Sequence, residues 1–318
     1  MVTKIINDLD DVYGQQTVGG KKASVTFTRG KRHEYLGMHL DFKQPGKVQI
    51  DMRDYVNKRV LAGLPDKYKG TATTPASLHL FELRDGDPLL GDKEADEFHS
   101  IVAKLLFLCK RGRPDLQTAV AYFCTRVKSP TTDDQAKLIR TIKYLRGTRD
   151  LTLTLSADNM NVMKWWVDAA YGVHPDMKSH TGGAMSMGSG TAYATSQKQK
   201  LNTKSSTEAE LVSIDDVLQK LLWTKYFLEA QGYGTNPVMY QDNQSTMKLA
   251  RNGRASSGKR TRHINIRYFF ITDRIKAREV TIEYCPTKSM VADFFTKPLQ
   301  GSLFRKFRDQ ILGVAPMT

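Results

Sequence analysis

Cysteine is scarce in this chain, with three in 318 residues: Cys109, Cys124 and Cys285. They form no Cys-x-x-Cys pair and no metal-ligand cluster with histidine. That excludes a disulfide framework and a zinc module and points to a reducing compartment. Long apolar runs are missing too. No stretch of about 18 apolar residues occurs, so nothing reads as a membrane span and no membrane partner is expected. Met1 to Asp8 lacks the apolar centre of a signal peptide. An intracellular setting is expected, a cytoplasmic particle or the nucleus. Acid is short relative to base: 33 Asp+Glu against 48 Lys+Arg, a net charge of +15. That excess favours a polyanionic partner, and nucleic acid is the one expected, ahead of an acidic membrane surface.

The excess is uneven. Residues 1–159 hold 26 basic and 20 acidic residues, or +6, and residues 160–318 hold 22 and 13, or +9. The densest block runs from Arg251 to Arg278, with nine basic residues and one acid, Asp273. It reads either as a solvated helix face or as a phosphate-contacting surface. The lack of interleaved acids favours the second.

Hydrophobic residues make up 40% of the chain, enough for real cores, and the length suggests two domains. Ile5, Ile6, Leu9, Val12 and Tyr13 have helical spacing, with Gly14 as a stop. Asp10-Asp11 lies on the polar face of that helix and reads as structural. Strands are expected at Val25–Thr28 and Tyr35–Phe42, and a return at Val48–Met52 after the Gln44-Pro45-Gly46-Lys47 turn makes a β-hairpin. Three helices follow, over Glu94–Lys110, from Arg113, and from Ser129 to about Gly147. Asp115 follows a proline and reads as a helix cap. Cys109 and Cys124 read as core residues. Leu151–Leu155 alternates as a strand, and the turn Ala157-Asp158-Asn159 marks the domain boundary, giving 1–158 and 159–318.

Beyond it the pattern is α/β. Strands are expected at Met163–Val167, Thr181–Met187, Thr191–Gln197, Val238–Gln241 and Val280–Tyr284. Helices are expected over Ser206–Glu229, from Ser245, over Ile264–Ile275, from Ser289, and in a last segment with Leu303, Phe304, Phe307 and Ile311.

The long helix begins in Lys204-Ser205-Ser206-Thr207-Glu208-Ala209-Glu210-Leu211. Ser205 with Glu208 fits a capping box, so Glu208 has a structural task. Glu210 opens the apolar stripe of Ile214, Val217, Leu218 and Leu221. A carboxylate there needs either a basic partner or a metal ion. Asp168 ends the first strand of this half, Asp242 ends the fourth, and Asp293 lies in the helix after the fifth. Alone, an aspartate at a strand end is a turn or cap residue. Four acids in strand–helix–strand–helix order make a stronger case. Clustered carboxylates repel unless cations sit among them, and magnesium suits such oxygen ligands. Two such ions roughly 3.5–4 Å apart can clamp the attacking and leaving oxygens of phosphodiester hydrolysis.

The motifs around these acids are Val167-Asp168-Ala169-Ala170-Tyr171, Lys204 to Glu210, Gln241-Asp242-Asn243-Gln244-Ser245, Arg260-Thr261-Arg262-His263-Ile264 and Val291 to Leu299. They resemble the ribonuclease H domain of copia-type (Pseudoviridae) LTR retrotransposon polyproteins. Upstream, Tyr35-Leu36-Gly37-Met38, Gly112 to Leu116 and Tyr144 to Thr148 resemble the end-of-palm, thumb and connection segments of the same polyproteins' reverse transcriptase.

The resemblance implies a ribonuclease H-like mixed five-stranded sheet with flanking helices, preceded by the hairpin and the helical thumb/connection region. It implies an enzyme that cuts the RNA strand of an RNA–DNA hybrid with two Mg2+ ions, Mn2+ being the alternative. Its metal-binding acids map onto Asp168, Glu210, Asp242 and Asp293. The hybrid is expected to be read through phosphates and 2′-hydroxyls. Lys198, Lys200, Lys204, Arg260, Arg262 and His263 are the candidate backbone contacts. Gln197, Ser206 and Asn243 are candidates as well, each equally readable as a cap or turn residue.

Two departures stand out. The polymerase's Tyr-x-Asp-Asp motif is absent, so no polymerase activity is expected of this chain by itself. A fragment working with the remaining reverse transcriptase polypeptide, or a truncated element, is expected instead. The loop before Asp293, Cys285-Pro286-Thr287-Lys288, also lacks the histidine that many ribonucleases H place there. His263 substitutes only if its loop folds toward the site, and His174 and His180 are weaker candidates. The competing reading is a non-catalytic nucleic-acid-binding remnant; a transposase or integrase of the same fold family is a third.

Overall fold

The computed structural model describes residues 2–14, 17–18, 21–22, 25–253 and 265–317. Helix α1 (Val2–Tyr13) buries none of its residues. Strands β1 (Thr17–Val18) and β2 (Lys21–Lys22) pair only with each other. Strands β3 (Arg32–Tyr35), β4 (Met38–Asp41) and β5 (Lys47–Asp51) form an antiparallel meander. The expected single strand Tyr35–Phe42 is thus two strands. Leu36 and Gly37 both take positive φ, 49° and 73°, which makes the tight turn whose twist suits a hairpin. Val25–Thr28 forms no strand.

Helix α2 (Arg53–Tyr55) passes into a π-helical segment, Val56–Leu61. Helices α3 (Asp92–Cys109), α4 (Gln117–Cys124) and α5 (Thr132–Gly147) follow. Helix α5 starts at a reciprocal cap between Thr131 and Asp134. Asp115 is not a cap. Its carboxylate is buried and takes two hydrogen bonds from the buried Arg113, at 2.8 and 2.7 Å, and one from the Tyr144 hydroxyl at 2.7 Å.

The remaining strands are β6 (Leu153–Ala157), β7 (Val162–Ala170), β8 (His180–Ser186), β9 (Gly188–Ser189), β10 (Tyr193–Lys198), β11 (Asn236–Gln241) and β12 (Thr281–Tyr284). The remaining helices are α6 (Ser206–Ala230), α7 (Gln244–Asn252), α8 (Asn265–Lys276), α9 (Asp293–Thr296) and α10 (Gly301–Ile311). No helix among the described residues is long and apolar enough to cross a membrane.

Two five-stranded sheets result. One has the order β3-β4-β5-β6-β9 and is antiparallel throughout. The other has the order β10-β8-β7-β11-β12, with β10, β8 and β7 antiparallel and β7, β11 and β12 parallel. Its central strand β7 is buried on both faces, and period-two alternation sorts its side chains. Met163, Trp165 and Val167 pack with Leu211, Ile214, Val217, Leu218 and Leu221 of α6. Trp166 faces a second core that holds Phe294, Phe295, Phe304 and Phe307 together with Leu105, Leu116, Val120 and Tyr144 from the upstream helices. Each such side chain, fully buried, contributes about 1.5–3 kcal/mol. The chain leaves the first sheet between β6 and β7 and returns to it once, at β9, before adding β10 to the second. Its second core continues across the β6–β7 passage.

Candidate active site

Parallel pairing of β7 and β11 brings their C-terminal ends side by side. Asp168 sits in β7, opposite Gly182 of β8 and two residues before the strand ends, so it is not the terminal residue. Asp242 follows the last residue of β11. Asp293 is the first residue of α9. One carboxylate oxygen from each of these aspartates lies within 4.8 Å of the others. Glu210, in the first turns of α6, is buried and near enough to Asp168 and Asp242 to feel their charge, but it stands outside that group of three.

A buried glutamine assembles this cluster. Gln241 Nε2 donates to Glu210 Oε2 at 3.1 Å and to the Val167 carbonyl at 3.3 Å. Its Oε1 accepts from the backbone N–H groups of Asp242, at 2.8 Å, and Asn243, at 3.0 Å. One side chain therefore fixes the acid on α6, the end of β7 and the turn after β11. The Thr296 hydroxyl donates to Asp168 Oδ2. Thr287 Oγ1, in the loop without histidine, donates to Asp242 Oδ2 at 3.2 Å. Lys297 Nζ lies 2.7 Å from Asp293 Oδ1 and 3.4 Å from Asp168 Oδ2. Gln241, Thr296 and Lys297 lie inside the sequence motifs, but no periodicity or spacing marked them.

The electrostatics follow from burial and crowding. Burial, then Asp168 and Asp242, hold the Glu210 carboxyl well above the ordinary range despite the Gln241 hydrogen bond. Burial and Asp168 push Asp293 up to about 7, against the opposing pull of Lys297. Burial and Asp168 also raise Asp242. Burial works against the charge of Lys297, but Asp168 and Asp293 more than offset it and raise its pKa. The cluster therefore either keeps protons at neutral pH or takes up cationic charge. Oxygen donors of this kind fit a hard divalent cation.

Glu208 behaves as the sequence implies, with one change. The Ser205 hydroxyl accepts from the Glu208 N–H at 3.2 Å, but the Glu208 carboxylate accepts from the Lys204 N–H, at 2.7 Å, instead of the cap residue's own. Gln197, Lys200, Lys204 and Ser206 are exposed. Gln199 is the glutamine that turns inward, bonded to Thr181 Oγ1 and the Ala209 carbonyl. Lys198 pairs with Asp176 at 2.7 Å. Asn243 caps α7 through the Thr246 N–H at 3.1 Å. Arg260, Arg262 and His263 lie outside the described residues. His174 and His180 bond to each other at 2.9 Å, His180 also contacts Ser196 Oγ at 2.7 Å, and Phe81 lies against both rings. Burial depresses their pKa values to about 4 and about 3. They are neutral packing groups where an upstream segment meets the sheet.

Strand order, mixed direction and acids at the ends of the two central strands define a ribonuclease H-like fold with a carboxylate cluster. The relatives that this chain matches over most of its length are retrovirus-related Pol polyproteins of copia-type transposons. It is 29% identical over 282 residues to that of transposon RE2 from Arabidopsis thaliana, covering 88% of this chain and 19% of the relative. It is 25% identical over 289 residues to that of transposon TNT 1-94 from Nicotiana tabacum, covering 89% and 22%. The chain thus spans about one fifth of the length of these relatives. No family model matches. Among solved structures it is similar to LC11-RNase H1 isolated from compost, at 11% identity and a TM-score of 0.32, covering 42% of this chain and 91% of that one. It is also similar to a foamy viral protease-reverse transcriptase in complex with dsDNA, at 13% identity and a TM-score of 0.39, covering 81% and 45%. Neither structural likeness carries weight on activity.

Proposed function

We propose that this chain cleaves the RNA strand of RNA–DNA hybrids endonucleolytically, as the ribonuclease H part of a retrotransposon Pol polyprotein. Residues 159–318 are then the hydrolytic domain, and residues 1–158 a truncated end-of-palm, thumb and connection region. The observation that carries the reading is the convergence of Asp168, Asp242 and Asp293 within 4.8 Å, with buried Glu210 beside them. These four acids would hold two Mg2+ ions, with Mn2+ as the alternative. Bound there, the ions would make water a better nucleophile and offset charge on the scissile phosphate.

The chain's own groups do the rest. Gln241 holds Glu210 and the turn of Asp242 in place. The Thr296 hydroxyl orients the Asp168 carboxylate. Lys297 supplies a resident positive charge between Asp168 and Asp293. The exposed Gln197, Lys200, Lys204 and Ser206 offer hydrogen bonds and charge to a phosphate backbone, as would Lys198, Asn243, Arg260, Arg262 and His263. The partners are the hybrid and the remaining reverse transcriptase polypeptide.

The test is cleavage of a labelled RNA–DNA hybrid by the purified chain, with and without Mg2+, beside Asp168→Asn and Asp242→Asn. Full activity in either variant sinks the proposal. One observation favours the second reading, a non-catalytic nucleic-acid-binding remnant: Lys297 already neutralises part of the cluster. Hybrid binding without any Mg2+-dependent cleavage by the unsubstituted chain would select it.

A further inference from the structure

The cluster hangs in part on α9, which has four residues and cannot be stable by itself. The last carbonyls of a helix need partners from outside its own turn. The Asp293 carbonyl is taken by the Lys297 N–H at 2.9 Å. The Phe294 carbonyl has no such option, because the residue four positions on is Pro298, which carries no N–H. It is satisfied from the other half of the molecule. Thr118 Oγ1 of α4 donates to it at 2.6 Å, in buried surroundings and across 176 residues of sequence.

The rest of the packing leaves α9 little freedom. On the sheet side it rests on Gly182 of β8, where a Cβ would meet Thr296 Cγ2 at 2.5 Å and the Ala292 carbonyl at 2.9 Å. Just past its end, Gln300 Nε2 donates to the Ala76 carbonyl at 2.8 Å, and Thr74 Oγ1 donates to Gln300 Oε1 at 2.9 Å. So α9 is seated between β8 and the upstream half. It presents Asp293, the Thr296 hydroxyl bonded to Asp168, and then Lys297.

We propose that Thr118 is a positioning residue for the hydrolytic site. Its hydroxyl fixes the Phe294 carbonyl and, through it, the placement of Asp293 and Thr296 against Asp168. The upstream helical region is then a working part of the site. This inference rests on the hydrolytic reading above.

The test compares Thr118→Val, which keeps the shape and loses the donor, with Thr118→Ser, which keeps the donor, both in the full chain. Three measurements are made: steady-state kinetics on the hybrid for kcat and KM, Mn2+ affinity by calorimetry, and amide hydrogen exchange. The expected result for Thr118→Val is a kcat about tenfold lower, the size of one lost buried hydrogen bond, with KM within about twofold of the parent. Mn2+ affinity should fall about as much, and exchange should rise at residues 295–297 but not in α6 or β7. Thr118→Ser should restore all three. Uniformly faster exchange with kcat unchanged would show a merely structural role and overturn the proposal, as would a serine variant no better than valine. If the unsubstituted chain cleaves no hybrid, the hydrolytic reading fails separately. Mn2+ affinity and local exchange then decide the role of Thr118: unchanged values in Thr118→Val overturn it, and a loss rescued by serine upholds it.

Discussion

Glu208 and Glu210 stand two residues apart at the start of α6, and changing each to glutamine should move stability in opposite directions and cost activity only at Glu210. Glu208 accepts from the Lys204 N–H and is not one of the clustered acids. Glutamine keeps an acceptor there and loses only the favourable charge at a helix N-terminus, about 0.3–1 kcal/mol. Glu208→Gln should therefore melt slightly earlier and cleave normally. Glu210 is buried, and its carboxyl is raised by burial, by Asp168 and by Asp242. An acid whose folded pKa is raised costs stability as pH rises through that value. Glutamine preserves the acceptor for Gln241 Nε2 and removes the repulsion. Each pKa unit of relief is worth about 1.4 kcal/mol, or a few degrees in Tm for a chain of this kind. Metal-free Glu210→Gln should thus melt later than the parent at pH 8. Its hybrid cleavage should fall at least about 100-fold, since a divalent ion's charge stabilisation is worth several kcal/mol. The assays are thermal melting in chelator and cleavage of a labelled hybrid in Mg2+. Cleavage by Glu210→Gln within twofold of the parent would refute the reasoning, and so would a folded Glu208→Gln that is equally dead.

The pH dependence of the metal-free protein gives a second check. Asp293 is held at about 7 in the fold, above its ordinary 3.8. Its stabilising proton is fully in place below about pH 4 and lost as pH rises through 7, so the melting temperature should fall between pH 5 and 8. Asp293→Asn should flatten that fall, and Mg2+ should restore the parent at pH 8. Asp115→Ala should cost about 3–5 kcal/mol, because it leaves the buried Arg113 guanidinium uncompensated; urea unfolding measures it. Hybrid binding should weaken steeply with salt, and Lys200→Ala with Lys204→Ala should reduce the slope of log K against log salt by about 1–2 in a filter-binding titration.

The four acids stood out as candidates by position: two at expected strand ends, one on a helix stripe, and Asp293 inside a helix expected from Ser289, which in the structure begins only at Asp293 itself. That β7 and β11 are neighbours, which brings two of the acids together, is visible only in the sheet order. Gln241, Thr296 and Lys297 were not legible as contacts. A glutamine ending a strand has no local signature, and its value appears only when Val167, Glu210 and the turn after β11 converge on it. Asp115 was misread because Pro-Asp looks like a helix start, whereas its partners are Arg113 beside it and Tyr144 a helix away. The Tyr35–Phe42 strand was overdrawn because a leucine at positive φ leaves no mark in an alternating pattern.

The three residues Thr296, Lys297 and Pro298 show why local reading stops where it does. Thr296 is bonded to Asp168, Lys297 to Asp293 and Asp168, and Pro298 acts by what it lacks. Its missing N–H leaves a buried carbonyl that α4 must satisfy. A sequence divided at residue 158 places donor and acceptor in different domains. The core does not divide there: Phe294, Phe295 and Phe304 share one cluster with Leu116, Val120 and Tyr144. A substitution in α4 can therefore change the geometry at Asp293 without touching any of the four acids. Activity in the downstream half should then respond to mutations in the upstream helices, and respond most where their side chains meet α9.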